Sequence, residues 1–124
     1  MRETMGPDWR ASFDMVIANA KKPIFFKALH AFYEIDHEKS PKFHRGNVLK
    51  DATSLNEYYQ DRMILEGNAS LLTDFFRCKL EKLDVKVAYF GDNYLKDIYA
   101  AWEFDQDLVN LESLARWDAI LLAD

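Results

Sequence analysis

Cysteine occurs once, at Cys78, so the chain can form no internal disulfide and suits a reducing compartment. Glycine and proline are few, with four and three residues respectively. The sequence has no internal repeats and no low-complexity stretches. Basic charge is in deficit: 16 Lys+Arg against 21 Asp+Glu leave a net charge of −5 and a pI near 5.2. This balance argues against a nucleic-acid footprint. No apolar run approaches the roughly 20 residues of a membrane span, and the opening MRETMGPDWR lacks the apolar core of a signal peptide. The expectation is a soluble, acidic, cytoplasmic chain with neither nucleic acid nor membrane as partner. Against these absences stand 49% hydrophobic and 15% aromatic residues in 124. That is enough to fill the core of about one domain.

Apolar runs and breakers predict an α/β chain with a mainly parallel sheet. Phe13–Ala18 is a short apolar run closed by Lys21-Lys22-Pro23, where proline turns the preceding residue away from helix. Residues 27–66 have less pattern and resemble an excursion from the core. Ala31–Ile35 predicts a strand, His37–Pro41 a turn and Arg62–Glu66 a strand stub, whereas Lys50–Tyr59 has no clean period. Leu71, Leu72, Phe75, Phe76, Leu80 and Leu83 fall on one helical face, with Asn68 or Ser70 available as cap. Val85–Phe90 predicts a strand ended by Gly91-Asp92-Asn93. Leu95, Ile98, Tyr99 and Trp102 then recur at helical spacing, and Trp117–Leu122 predicts a last strand. Helices between apolar strands favour parallel pairing.

In open α/β sheets, ligands gather beyond the carboxyl ends of strands. Asp92 lies at such an end, and Asp97 follows five residues later. Two carboxylates there can hold a hard cation such as Mg²⁺ through oxygen. The same spacing admits helix capping by Asp92 or Asn93, with Asp97 complementing the dipole. Lys22, after the first strand, can balance phosphate or carboxylate charge, or be a solvated lysine beside Lys21. His30, His37 and His44 recur every seven residues, but Pro41 breaks any helix that would align them for zinc. Cys78 is expected to be a buried thiol, and Phe25, Phe26, Tyr58 and Tyr59 to be packing residues.

The stretches Asp8-Trp9-Arg10, Phe13–Ile17 and Ala20-Lys21-Lys22-Pro23-Ile24-Phe25-Phe26 resemble the cytosolic purine 5′-nucleotidase family and its domain-containing relatives. That family belongs to the haloacid dehalogenase superfamily. Glu66-Gly67-Asn68, Val87–Asp92, the spacing to Asp97 and the Trp117 strand follow in the family's order. The resemblance implies a partial Rossmann-like core and a Mg²⁺-dependent hydrolase of nucleoside 5′-monophosphates working through an aspartyl-phosphate. It implies that Lys22 steadies nucleophile and phosphate charge, that Asp92 ligates Mg²⁺, and that Asp97 supports the metal shell or Lys22. The family's Asp-x-Asp nucleophile motif and its phosphate-binding Thr/Ser have no match in place here, since Asp105-Gln106-Asp107 comes after Asp92. Residues 1–124 are therefore expected to be one partial domain, the carboxy-terminal part of that fold without its nucleophile strand. Such a domain would be inactive alone and leave an exposed strand edge through which it self-associates. An interaction module derived from the fold, or a Mg²⁺ or phosphate receiver without turnover, are the alternatives.

Overall fold

The computed structural model describes residues 13–36, 44–60 and 63–122. The Trp9 segment, the His37–Pro41 turn and Arg62 lie outside them. Strand β1 (Val16–Ala18) is shorter than its apolar run and is followed by Asn19 in a left-handed conformation, φ 57°. After a cis Lys22–Pro23 peptide, a single turn α1 (Ile24–Lys27) inserts Phe25 and Phe26 into the interior. Strand β2 (Phe32–Asp36) is central to a hairpin, antiparallel to both β3 (His44–Leu49) and β4 (Met63–Glu66). Between β3 and β4, helix α2 (Ala52–Tyr58) starts at Asp51, whose carboxylate accepts the Ser54 N–H at 2.8 Å. Helix α3 (Ala69–Leu80) is capped by the Asn68 side chain and ends where Glu81 turns left-handed.

The second half supplies β5 (Lys86–Gly91), a π-helical segment (Tyr94–Tyr99), helix α4 (Ala100–Asn110) and β6 (Arg116–Leu121). Strands β5 and β6 pair in parallel along their whole length, Lys86 with Arg116 through Gly91 with Leu121. This is the expected strand–helix–strand unit. The expected single, mainly parallel sheet is corrected: there are two sheets. One is four-stranded in the order β1-β4-β2-β3, and the other is the β5-β6 pair. Only β1 and β4 are parallel in the first sheet; β2 runs antiparallel to both its neighbours, and its connection to β3 is too short for a parallel crossover. Strands β1 and β5 each keep one unpaired edge among the described residues.

Aromatic packing joins the two sheets. Phe26 meets Tyr89, Trp117 and Phe104 at centroid distances of 5.1, 5.8 and 6.3 Å, mostly edge to face. The buried Trp117 indole donates to the Thr73 hydroxyl at 2.9 Å, which in turn donates to the Ala69 carbonyl at 2.7 Å. Phe25, Phe26, Tyr58 and Tyr59 are buried, as their packing role requires. Cys78 is not: it lies exposed on α3, at the border of the face that buries Leu72 and Phe75. Leu80 and Leu83 are exposed too, since α3 stops at Leu80 and the chain leaves the core there.

Asn68 both caps α3 and donates its amide to the His30 carbonyl at 2.7 Å. Asn68→Ala removes both bonds and is expected to lower stability by about 2 kcal/mol, read as a fall in the urea midpoint with an unchanged slope.

Candidate functional site

The Lys22 ammonium, carried just past β1, lies 2.7 Å from Asp97 Oδ1. Asp97 is wholly buried within the π-helical segment, and Lys22 is 38% exposed. The same oxygen accepts the Tyr89 hydroxyl at 2.9 Å, and Oδ2 accepts the Asn93 N–H at 3.1 Å. Gly91 makes room for the carboxylate, because a Cβ there would overlap the Asp97 side chain. The π geometry lets both Asp97 and Ile98 donate their N–H to the Asn93 carbonyl, while the Asn93 side chain caps the turn through Lys96 N–H. Burial alone would raise the Asp97 pKa. Hydrogen bonds from Lys22, Tyr89 and Asn93 outweigh it, and the carboxyl is held below the ordinary aspartate range. Tyr89 moves the other way: burial, then the bond to the Asp97 anion, push its phenol above the usual range.

Asp92 is exposed, one residue past β5, with no hydrogen bond or ion pair among the described residues. It directly precedes Asn93, whose N–H is bonded to Asp97 Oδ2, so it follows the same strand end that Asp97 packs against. Lys22, Asp92 and Asp97 thus converge, and capping falls to Asn93. Asp97 has both oxygens committed to donors, so Asp92 is the carboxylate open to a cation. Among the described residues no group of three or more His, Cys, Asp or Glu is placed to enclose a metal. The donor set suits Mg²⁺, which keeps waters and takes one or two carboxylates plus phosphate oxygens. It does not suit a dedicated protein cage.

A second buried carboxylate escaped the sequence reading. Glu66 ends β4 in a left-handed conformation, φ 64°, and its side chain is 4% exposed. Arg45 forks onto it through Nε at 2.8 Å and Nη2 at 2.6 Å, and His30 Nε2 lies 2.5 Å from Oε1. Lys21 stands 3.8 Å away. His30 is thus a partner of Glu66; His37 lies outside the described residues, and His44 is a residue of β3. The available signal was an acidic residue ending an apolar run directly before Gly67-Asn68. The Arg45 fork holds Glu66 well below its usual 4.5, at about 2, against burial and with help from His30 and Lys21.

An apolar cleft of about 230 Å³ is lined by Ile17 of β1, by Phe25, Leu72 and Phe76, and by Val87 and Tyr89 of β5, with Lys22 also in its wall.

The sequence profile described as the 5′ nucleotidase family matches residues 1–104. The chain belongs to the 5′-nucleotidase family. The matched span holds Lys22, Glu66, Asp92 and Asp97. Two 5′-nucleotidase domain-containing protein 2 sequences, from Homo sapiens and Rattus norvegicus, are each 34% identical over 99 residues, 79% of this chain. This member of the 5′-nucleotidase family spans 16% of the length of those relatives. No solved structure matches the chain.

Gly91→Ala forces a methyl into Asp97 and is expected to cost about 3 kcal/mol, measured by urea unfolding. The folded-state pKa of Glu66 is depressed, so its contribution is present above about pH 4.5 and lost as pH falls toward about 2. Glu66→Gln is expected to be less stable at neutral pH by about 3 kcal/mol. Unfolding curves recorded at successively lower pH are expected to show that gap closing through the same window.

Proposed function

We propose that this chain is the lysine- and metal-bearing part of a Mg²⁺-dependent phosphohydrolase of the haloacid dehalogenase superfamily, acting on nucleoside 5′-monophosphates. The observation that carries the reading is the 2.7 Å Lys22–Asp97 pair beside an uncommitted Asp92 at one sheet edge. Asp92 would hold the ion, which when bound neutralises phosphoryl charge and fixes the phosphate's orientation. Lys22 keeps two N–H donors beyond the one aimed at Asp97, enough to hold a phosphoryl oxygen or a second carboxylate. Asp97 positions the Lys22 ammonium. Its own oxygens accept three hydrogen bonds, so it is a poor candidate to attack phosphorus.

The nucleophile is then external to these 124 residues, and by themselves they are inactive. The cleft between β1 and β5 is the place where strands carrying it would dock, since both bordering edges are unpaired and the walls are apolar. The same cleft favours a second reading, a non-enzymatic module that binds a partner or a second copy through those edges.

The purified chain with Mg²⁺ and a panel of nucleoside 5′-monophosphates is expected to release no phosphate above the buffer rate. Release that Asp92→Asn abolishes would place the nucleophile within the chain and sink this reading.

A further inference from the structure

Lys21 and Lys22 are neighbours in sequence, yet their ammonium groups serve different carboxylates. Lys22 pairs with Asp97, whereas Lys21 lies 3.8 Å from Glu66. Around Glu66 the burial is layered. The carboxylate is 4% exposed, but the Lys21, His30 and Arg45 side chains above it are 47, 30 and 46% exposed. Lys21 and Arg45 over one anion leave an excess of positive charge facing solvent on a chain whose net charge is −5.

The hydrogen-bond capacity is also unspent. The bonds to the Glu66 oxygens come from Arg45 Nε and Nη2 and from the His30 ring. At 3.8 Å the Lys21 ammonium is beyond hydrogen-bond reach of that carboxylate. Neither it nor Arg45 Nη1 has an acceptor among the described residues. The Arg45 guanidinium lies over the Tyr33 ring, 4.6 Å from its centroid, which with the Glu66 fork fixes its plane. Strands β3 and β4 and the turns flanking α1 therefore deliver three nitrogen groups to one spot, held there by a buried carboxylate before any ligand arrives. Preorganised, charged donors of this kind suit a tetrahedral oxyanion, which accepts from several directions at once.

We propose that Lys21, His30 and Arg45 form an oxyanion subsite that takes a phosphate group, separate from the Lys22–Asp92 centre and independent of metal. The phosphate is either the free ion or the ester of a nucleotide. The site goes beyond the hydrolase reading and stands without it.

The test is an amide-shift titration of the ¹⁵N-labelled chain with inorganic phosphate, and in parallel with adenosine 5′-monophosphate, in EDTA. Saturable shifts are expected at residues 21, 30, 45 and 66–68. Lys21→Ala is expected to weaken binding about fivefold, the loss of one charge-assisted contact. Lys21→Arg is expected to restore it. Lys86→Ala, at the opposite end of the β5-β6 sheet, is expected to leave it unchanged. Shifts with both probes would identify the phosphate ester as a ligand, and shifts with inorganic phosphate alone would identify the free ion. Absence of saturable shifts, or shifts indifferent to Lys21→Ala, would overturn the subsite. Shifts centred on Lys22 and Asp92–Asn93 would overturn it as well, while leaving the hydrolase reading standing.

Discussion

Asp97 has to remain an anion with no contact with water, and the surrounding architecture is arranged around that requirement. An isolated carboxylate in such a place would cost several kcal/mol and neutralise itself. Here it is matched by one cation and two neutral donors. Each has a structural consequence. The ammonium of Lys22 ties the turn after β1 to the end of β5. The Tyr89 hydroxyl reaches up from the middle of that strand. The Asn93 N–H is available because the chain turns into a π-helical segment rather than a regular α-helix, and Gly91 gives the carboxylate its space. Each of these groups contacts Asp97 or makes room for it, and together they fix the carboxylate against the Lys22 ammonium.

The Lys21-Lys22 pair distributes its charge over both sheets. One lysine faces the carboxylate ending β4, the other the carboxylate following β5, and the apolar cleft is lined from both β1 and β5. Below, Phe26 and Trp117 join the halves through edge-to-face contacts. The molecule is therefore closed at its aromatic base and open along the β1 and β5 edges. Phe90 and Ile120, paired across β5 and β6, are exposed on the face of that sheet opposite Val87 and Tyr89.

The sequence disclosed what rests on local chemistry. Val85–Phe90 and Trp117–Leu122 could be read as strands because their apolar runs stop at clear breakers, and Asn68 could be read as a cap. Lys22 and Asp97 followed from their places past strand ends and from the family resemblance. Strand β3 was missed because His44–Leu49 is a polar edge strand whose pairing, not composition, makes it a strand. Helix α2 was missed because only Leu55 and Tyr58 of its seven residues are buried, too short a period to register. Cys78 was misplaced by one helical step, since it adjoins the apolar face without belonging to it. Glu66 and Arg45 could not be joined from sequence: they are 21 positions apart and meet across β2, which β3 and β4 flank.

Asp97 serves the site as the ionised partner of Lys22 and not as a proton-carrying acid. Carboxyl-¹³C NMR of aspartate-labelled protein, titrated from neutral pH into strong acid and assigned through Asp97→Asn, measures this directly. The predicted result is an Asp97 resonance that stays ionised below the ordinary aspartate range and moves when Lys22 is replaced by Met. An Asp97 resonance titrating above that range, or one indifferent to Lys22→Met, would contradict the account.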